Sequence, residues 1–219
     1  MSYKQVKYYQ EIGDYAAAYR VAREDWTAHP ELTWPRSTIA WLLISLMKVY
    51  VRVYGQQRFF ELLQEFRDLD IPSDNIKLWG AIVWPIRDVV EDSLRMQWFT
   101  PKLGDTIFDA IKDMPFDRPS DSYSALVKVF IPIGSLWPRL DEFIEWWGFD
   151  NFTSFDYRRY PEKGRMVSLV EKVLIAYLVA LRRTGRTPSE EFYKTLDVLS
   201  SHSHEQAENI KSVLDYGKH

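Results

Sequence analysis

The stretch 148–165 gathers the side chains best suited to gripping a partner. Phe149, Phe152, Phe155, Tyr157 and Tyr160 are interleaved with and followed by Arg158, Arg159, Lys163 and Arg165. Aromatic faces next to cations can stack bases while the cations neutralise phosphates. They can equally anchor a protein interface, or pin a long connection to the core with their charges solvated. His202 and His204, with Glu205 and Glu208 close by, offer nitrogen and oxygen ligands. Two histidines at a helix start without fixed further ligands make a poor metal site, so His204 reads as a solvated helix terminus and no metal is expected. Asp141 and Glu145 stand four residues apart, opposite Leu140, Phe143, Ile144 and Trp147. That spacing places them on the solvated side of an amphipathic helix rather than in a catalytic carboxylate pair.

Composition bounds the chemistry further. The 219 residues contain no cysteine, which removes disulfides, thiolate metal sites and cysteine nucleophiles together and fits a reducing cytoplasm. No phosphate-binding glycine loop, dinucleotide fingerprint, zinc-protease helix, nucleophile elbow or calcium loop occurs, so no cofactor is expected. A formal charge of −3 argues against general nucleic-acid binding. Nine Trp, thirteen Tyr and twelve Phe supply a large apolar payload for a core, with some left for a partner surface. The first residues, Met-Ser-Tyr-Lys-Gln-Val-Lys, lack the apolar stretch of a signal peptide. The longest apolar run, Ile39–Met47, is about half of what a membrane span needs. The expected location is cytoplasmic, with no membrane partner.

The elements that must position these residues are helices. Apolar residues recur at helical spacing over 2–12, 14–29, 34–54, 56–69, 74–98, 101–113, 122–132, 136–147 and 166–184. Pro85 predicts a kink or break within 74–98. Thr187-Pro188-Ser189-Glu190 predicts a capping box with proline at the first helical position, and Ser203-His204-Glu205-Gln206 repeats the form before a last helix. No sustained alternation and no Asn-Gly turn appears, so the class is all-α, with about ten helices. Met114 to Asp121 is polar and proline-bearing and is the candidate linker between a region 1–113 and a region 122–219 packed as one continuous domain.

Residues 13–30 carry a resemblance. Gly13 opens a turn, Tyr15 follows, Ala18 and Ala22 sit at helical spacing, and Pro30 closes the helix. This resembles the second helix of a tetratricopeptide repeat (TPR), in which the glycine permits the turn and the alanines admit a partner helix. With Trp34–Trp41, Pro119–Leu126, Phe143–Phe152 and Ser168–Lys172 in order, the chain resembles a group of bacterial TPR-like helical proteins, some associated with conflict or phage-defence gene clusters. The resemblance implies an α-solenoid without an active site. It also implies a non-enzymatic adaptor or regulatory subunit of a larger assembly, with another protein as partner. Its first helix offers Lys4, Lys7 and Tyr8, and the following helix offers Thr38, Trp41, Ser45 and Lys48. Arg23 and His29 form an R-x5-H spacing that resembles the motif of HEPN-type RNases, with Glu24 where that family carries Asn, Asp or His. The resemblance implies RNA cleavage, the histidine serving as acid/base and the arginine stabilising charge. The same histidine is also accounted for as a cation at a helix C-terminus.

Overall fold

The computed structural model describes residues 2–54, 56–115, 130, 136–149 and 163–216, and side chains throughout these except over 50–54 and 163–169. Every element found among them is a helix: α1 (Ser2–Glu11), α2 (Tyr15–Ala28), α3 (Trp34–Tyr54), α4 (Gln56–Arg67), α5 (Ile76–Arg95), α6 (Pro101–Ile111), α7 (Leu140–Trp147), α8 (Lys163–Thr184), α9 (Glu190–His202) and α10 (His204–Asp215). They divide into two compact units, one reaching to Arg95 and including Met114, the other holding Met96–Asp113 and the described residues from Phe130 onward. α6 therefore packs with the later helices, whereas the sequence pattern grouped it with 1–113. Residues 116–121 of the candidate linker, and the expected helix 122–132 apart from the helical Phe130, lie outside the described residues.

In the first unit α2, α3 and α4 each pack on the helix before them, and α5 packs on α3. Gly13 takes φ +79° in the turn between α1 and α2, a conformation that costs glycine little and other L-residues more. Asp14 caps α2, its carboxylate accepting from the Ala17 N–H at 2.9 Å. Ala17, Ala18 and Ala22 are buried, so α3 approaches α2 closely. α3 lies against α2, α4 and α5 and buries Ile39, Ala40, Leu42, Leu43, Ile44, Leu46 and Met47. Alternate helices also meet. Tyr3 of α1 stands edge-on to Trp34 of α3 at 5.2 Å, and Glu65 of α4 binds both the Tyr19 hydroxyl and, at 2.9 Å, the Arg23 guanidinium of α2.

Pro85 does not break α5, which runs as one helix from Ile76 to Arg95. Proline removes one backbone hydrogen bond and crowds the preceding turn. Seven apolar side chains of α5, from Leu78 to Val90, are buried around it, and their burial outweighs that loss.

The second unit has an aromatic core. Trp137 and Phe143 touch each other and both Phe108 and Phe130, with centroid separations from 4.5 Å for Phe130–Phe143 to 6.0 Å for Trp137–Phe143. Phe149, Tyr177 and Phe192 form a second cluster. α7 begins at Leu140, not at 136, because Leu136–Arg139 turn around Pro138 to bring Trp137 over α6. α8 begins at Lys163, three residues earlier than expected.

The capping signals act differently from expectation. Ser189, not Thr187, caps α9, accepting from the Phe192 N–H at 3.4 Å, and Pro188 precedes the cap. Segment 186–189 is held out of the helix by its side-chain bonds, described below. Ser203 precedes α10 but its hydroxyl makes no capping bond.

Gly104 of α6 leaves no room against Trp137: a Cβ there would lie 2.8 Å from the indole ring. The ring is fixed by packing and by its Nε1–H, which donates to Asp105 at 2.9 Å. Gly104→Ala should lower stability by about 2 kcal/mol, the usual range for an overpacked core. Chemical denaturation of the two proteins measures it; an unchanged midpoint would contradict this packing.

Candidate partner-binding face

Among its described side chains, α3 has one stripe open to solvent. Ile39, Leu42, Leu43 and Leu46 turn inward, as the pattern predicts, and the opposite side presents Thr38, Trp41, Ser45, Lys48 and Val49. Trp41 is 41% and Val49 45% exposed. Spacings of three and four residues align them along one face. Ser45 is half-buried, and its hydroxyl donates to the Trp41 carbonyl at 3.0 Å. That bond leaves Trp41 and Lys48 as the reaching groups.

α1 continues this surface. Lys4, Lys7 and Tyr8 are exposed, Tyr8 at 57%. The Lys7 ammonium lies over the Tyr3 ring, 5.7 Å from its centroid, and Tyr3 in turn meets Trp34 at the start of α3. The first turns of the two helices are thus joined through a cation–aromatic–aromatic contact. The five cation and aromatic positions of the partner reading on α1 and α3, Lys4, Lys7, Tyr8, Trp41 and Lys48, are all solvent-facing.

The other candidate groups are placed as follows. Arg23 is paired with Glu65 and lies over the Tyr19 and Trp26 rings at 6.0 and 5.4 Å. His29 follows the last turn of α2, with Nδ1 3.5 Å from Glu31. Arg23 and His29 make no hydrogen bond or ion pair with each other among the described residues. Phe155, Tyr157, Arg158 and Arg159 lie outside those residues, while Lys163 and Arg165 fall in the first turn of α8 and not in a connecting loop. His202 ends α9 and His204 begins α10. No group of three or more His, Asp or Glu among the described residues could hold a metal ion. No described helix is long and apolar enough to cross a membrane.

One expectation is overturned outright. Asp141 is not on a solvated face but fully buried, at 0% exposure, and its Oδ2 pairs with the Arg186 guanidinium. Glu145 accepts from the Tyr177 hydroxyl at 2.6 Å, and that hydroxyl also accepts from the Ser189 N–H at 3.3 Å. Arg186 ties the turn after α8 to α7. Arg139 braces the same region, reaching Glu142 at 2.9 Å and Asp109 of α6 at 3.3 Å. Nothing local signals the Asp141–Arg186 pair, whose members are 45 residues apart in the chain.

Burial pushes the Asp141 carboxyl above the ordinary aspartate range, and Arg186 offsets this only in part. Burial, with Glu145 adding to it, pushes the Tyr177 phenol up to about 12. Among the described residues Asp141 Oδ1 is buried without a hydrogen-bond partner. These are features of a structural clamp: a buried carboxylate held by one cation.

No protein-family model matches the chain, and comparison with curated proteins and with solved structures finds no significant similarity. The TPR-like resemblance accordingly stands on the residues that carry it.

Two outcomes are expected for the clamp. Removing Arg186 strands a buried charge, so Arg186→Ala should destabilise more than the double variant Asp141→Asn/Arg186→Ala; equal losses in denaturation would contradict it. The folded-state pKa of Asp141 lies above its unfolded value, so across that window the folded protein binds the proton more tightly. Its contribution to stability then rises as pH falls toward the ordinary aspartate value. The stability difference between the wild type and Asp141→Asn, followed from pH 7 to pH 4, should shift in favour of the wild type.

Proposed function

We propose that the chain is a non-enzymatic interaction scaffold, its first unit a short TPR-like helical-repeat array that holds a segment of another protein on α1 and α3. The observation that carries this reading is Trp41, exposed with Val49 on the one open stripe of a helix otherwise packed on by α2, α4 and α5. Large apolar side chains left at the centre of a rigid face are the usual anchors of a protein interface. The side-chain contacts of α1 with α3 and of α2 with α4 support a reading as stacked helical pairs. Such stacks present their first helices along one surface. On this reading the protein is an adaptor or regulatory subunit of a larger bacterial assembly. The resemblance to proteins of conflict gene clusters makes phage defence the first process to examine. Arg23 is already committed to Glu65, which gives the RNase alternative no support.

Affinity purification of the tagged chain from its native host, beside Trp41→Ala and with a nuclease-treated control, tests the proposal. A stoichiometric protein that resists nuclease and is at least about tenfold depleted with Trp41→Ala, a typical anchor effect, is expected. Trp41→Ala should leave the melting temperature within about a degree, since exposed positions carry little stability. A partner retained equally by both chains would place the interface elsewhere.

A further inference from the structure

We infer that the segment seated on the α1–α3 face is acidic: a stretch of a partner protein rich in Asp or Glu that also carries an apolar side chain for Trp41. The inference rests on the face proposed above and gives its chemistry.

The charges of the first unit are sorted by helix. α1 carries Lys4 and Lys7 against Glu11 alone, and α3 carries Arg36, Lys48 and Arg52 with no carboxylate. α2 and α4 are balanced, Arg20, Arg23, Arg58 and Arg67 standing against Glu24, Asp25, Glu61 and Glu65. The balanced helices satisfy their charges internally, as in Arg23–Glu65 at 2.9 Å and Arg58–Glu61 at 2.7 Å. On the α1–α3 row Arg36 is paired, 3.8 Å from Asp70, but the lysines are not. Lys4 and Lys48 are exposed and have no ion pair among the described residues, and Lys7 lies over an aromatic ring instead of a carboxylate. The whole chain is acidic at −3, so this local excess is not a by-product of a basic composition. An acidic segment would form charge pairs with these lysines without displacing any that exist, and complementary charge speeds encounter and excludes basic competitors.

The spacing adds a pattern. Lys48 lies seven residues beyond Trp41, about 10 Å along a helix rising 1.5 Å per residue. An extended segment covers that distance in about three residues at 3.3 Å each. The fitting motif is an apolar residue and a carboxylate three positions apart.

A displayed library of random twelve-residue peptides, selected on the full chain and counter-selected on Trp41→Ala, tests this. The expected Trp41-dependent pool is enriched in Asp and Glu, with an apolar residue three positions from an acid. Its best members, labelled with fluorescein, should lose at least about tenfold in affinity for Lys7→Glu/Lys48→Glu, as charge reversal on a complementary face predicts. A Trp41-dependent pool that is neutral or basic overturns the acidic chemistry and leaves the face standing. A pool with no dependence on Trp41 overturns the face itself. Labelled oligouridylate that binds the chain, is weakened by Lys48→Glu and displaces the selected peptides would make the partner a nucleic acid, and would overturn the inference. Circular dichroism of the variants, all at exposed positions, confirms that each is folded.

Discussion

Helix α3 must be covered on most of its circumference, and the first unit depends on that constraint. Its seven buried apolar side chains between Ile39 and Met47 cannot be satisfied by one neighbour. α2, which buries three alanines, and α4 and α5, which bury bulkier residues such as Phe59, Phe66 and Trp79, all pack on α3. Once three helices occupy those sides, the direction of the remaining stripe is fixed by elimination. Trp41 and Lys48 are presented to solvent because the described apolar side chains of α3 between Ile39 and Met47 take up the other directions. A rigid, pre-formed face of this kind loses little entropy on binding, which favours affinity for a flexible segment.

The second unit is held differently. Aromatic rings meet edge-on or stacked around Trp137 and Tyr177, and a polar frame of Asp141, Arg186, Glu145 and Tyr177 surrounds one end of that core. Rings of this size leave few ways to fill space, so Gly104 becomes a steric requirement of Trp137. The buried carboxylate adds little net stability against an apolar substitute, because desolvation consumes most of the attraction. Its effect is directional: the carboxylate accepts a cation from one turn only, and so fixes where the chain leaves α8.

Helix existence and the inward faces of α3 and α8 were legible in the sequence because apolar residues there recur at a single period, from Ile39 to Leu46 and from Val170 to Leu181. The candidate face was legible for the same reason, since Thr38, Trp41, Ser45 and Lys48 are what remains after the inward residues are removed. The capping box at Thr187 was misplaced because two hydroxyl residues stand two apart and only tertiary bonds choose between them. Tyr177 and Arg186 hold segment 186–189 extended, which delays the helix to Glu190. The continuity of α5 through Pro85 is also a tertiary result, since local propensity favours a break. The pairing of Asp141 was hidden for a related reason. A carboxylate beside an apolar stripe reads as solvated unless its distant cation is known.

The turn at Gly13 imposes a requirement of an unusual kind. A Cβ added there would meet nothing within 4 Å, yet φ is +79°. Space is free and only handedness is restricted, the reverse of the situation at Gly104. A residue of opposite chirality, D-alanine, fits such a φ without strain and narrows the freedom of the unfolded chain. Gly185, at φ +68° with equally empty surroundings, shares the property. Both turns are therefore positions where a mirror-image residue would be the better building block, and where the L-amino-acid alphabet leaves glycine as the closest available substitute.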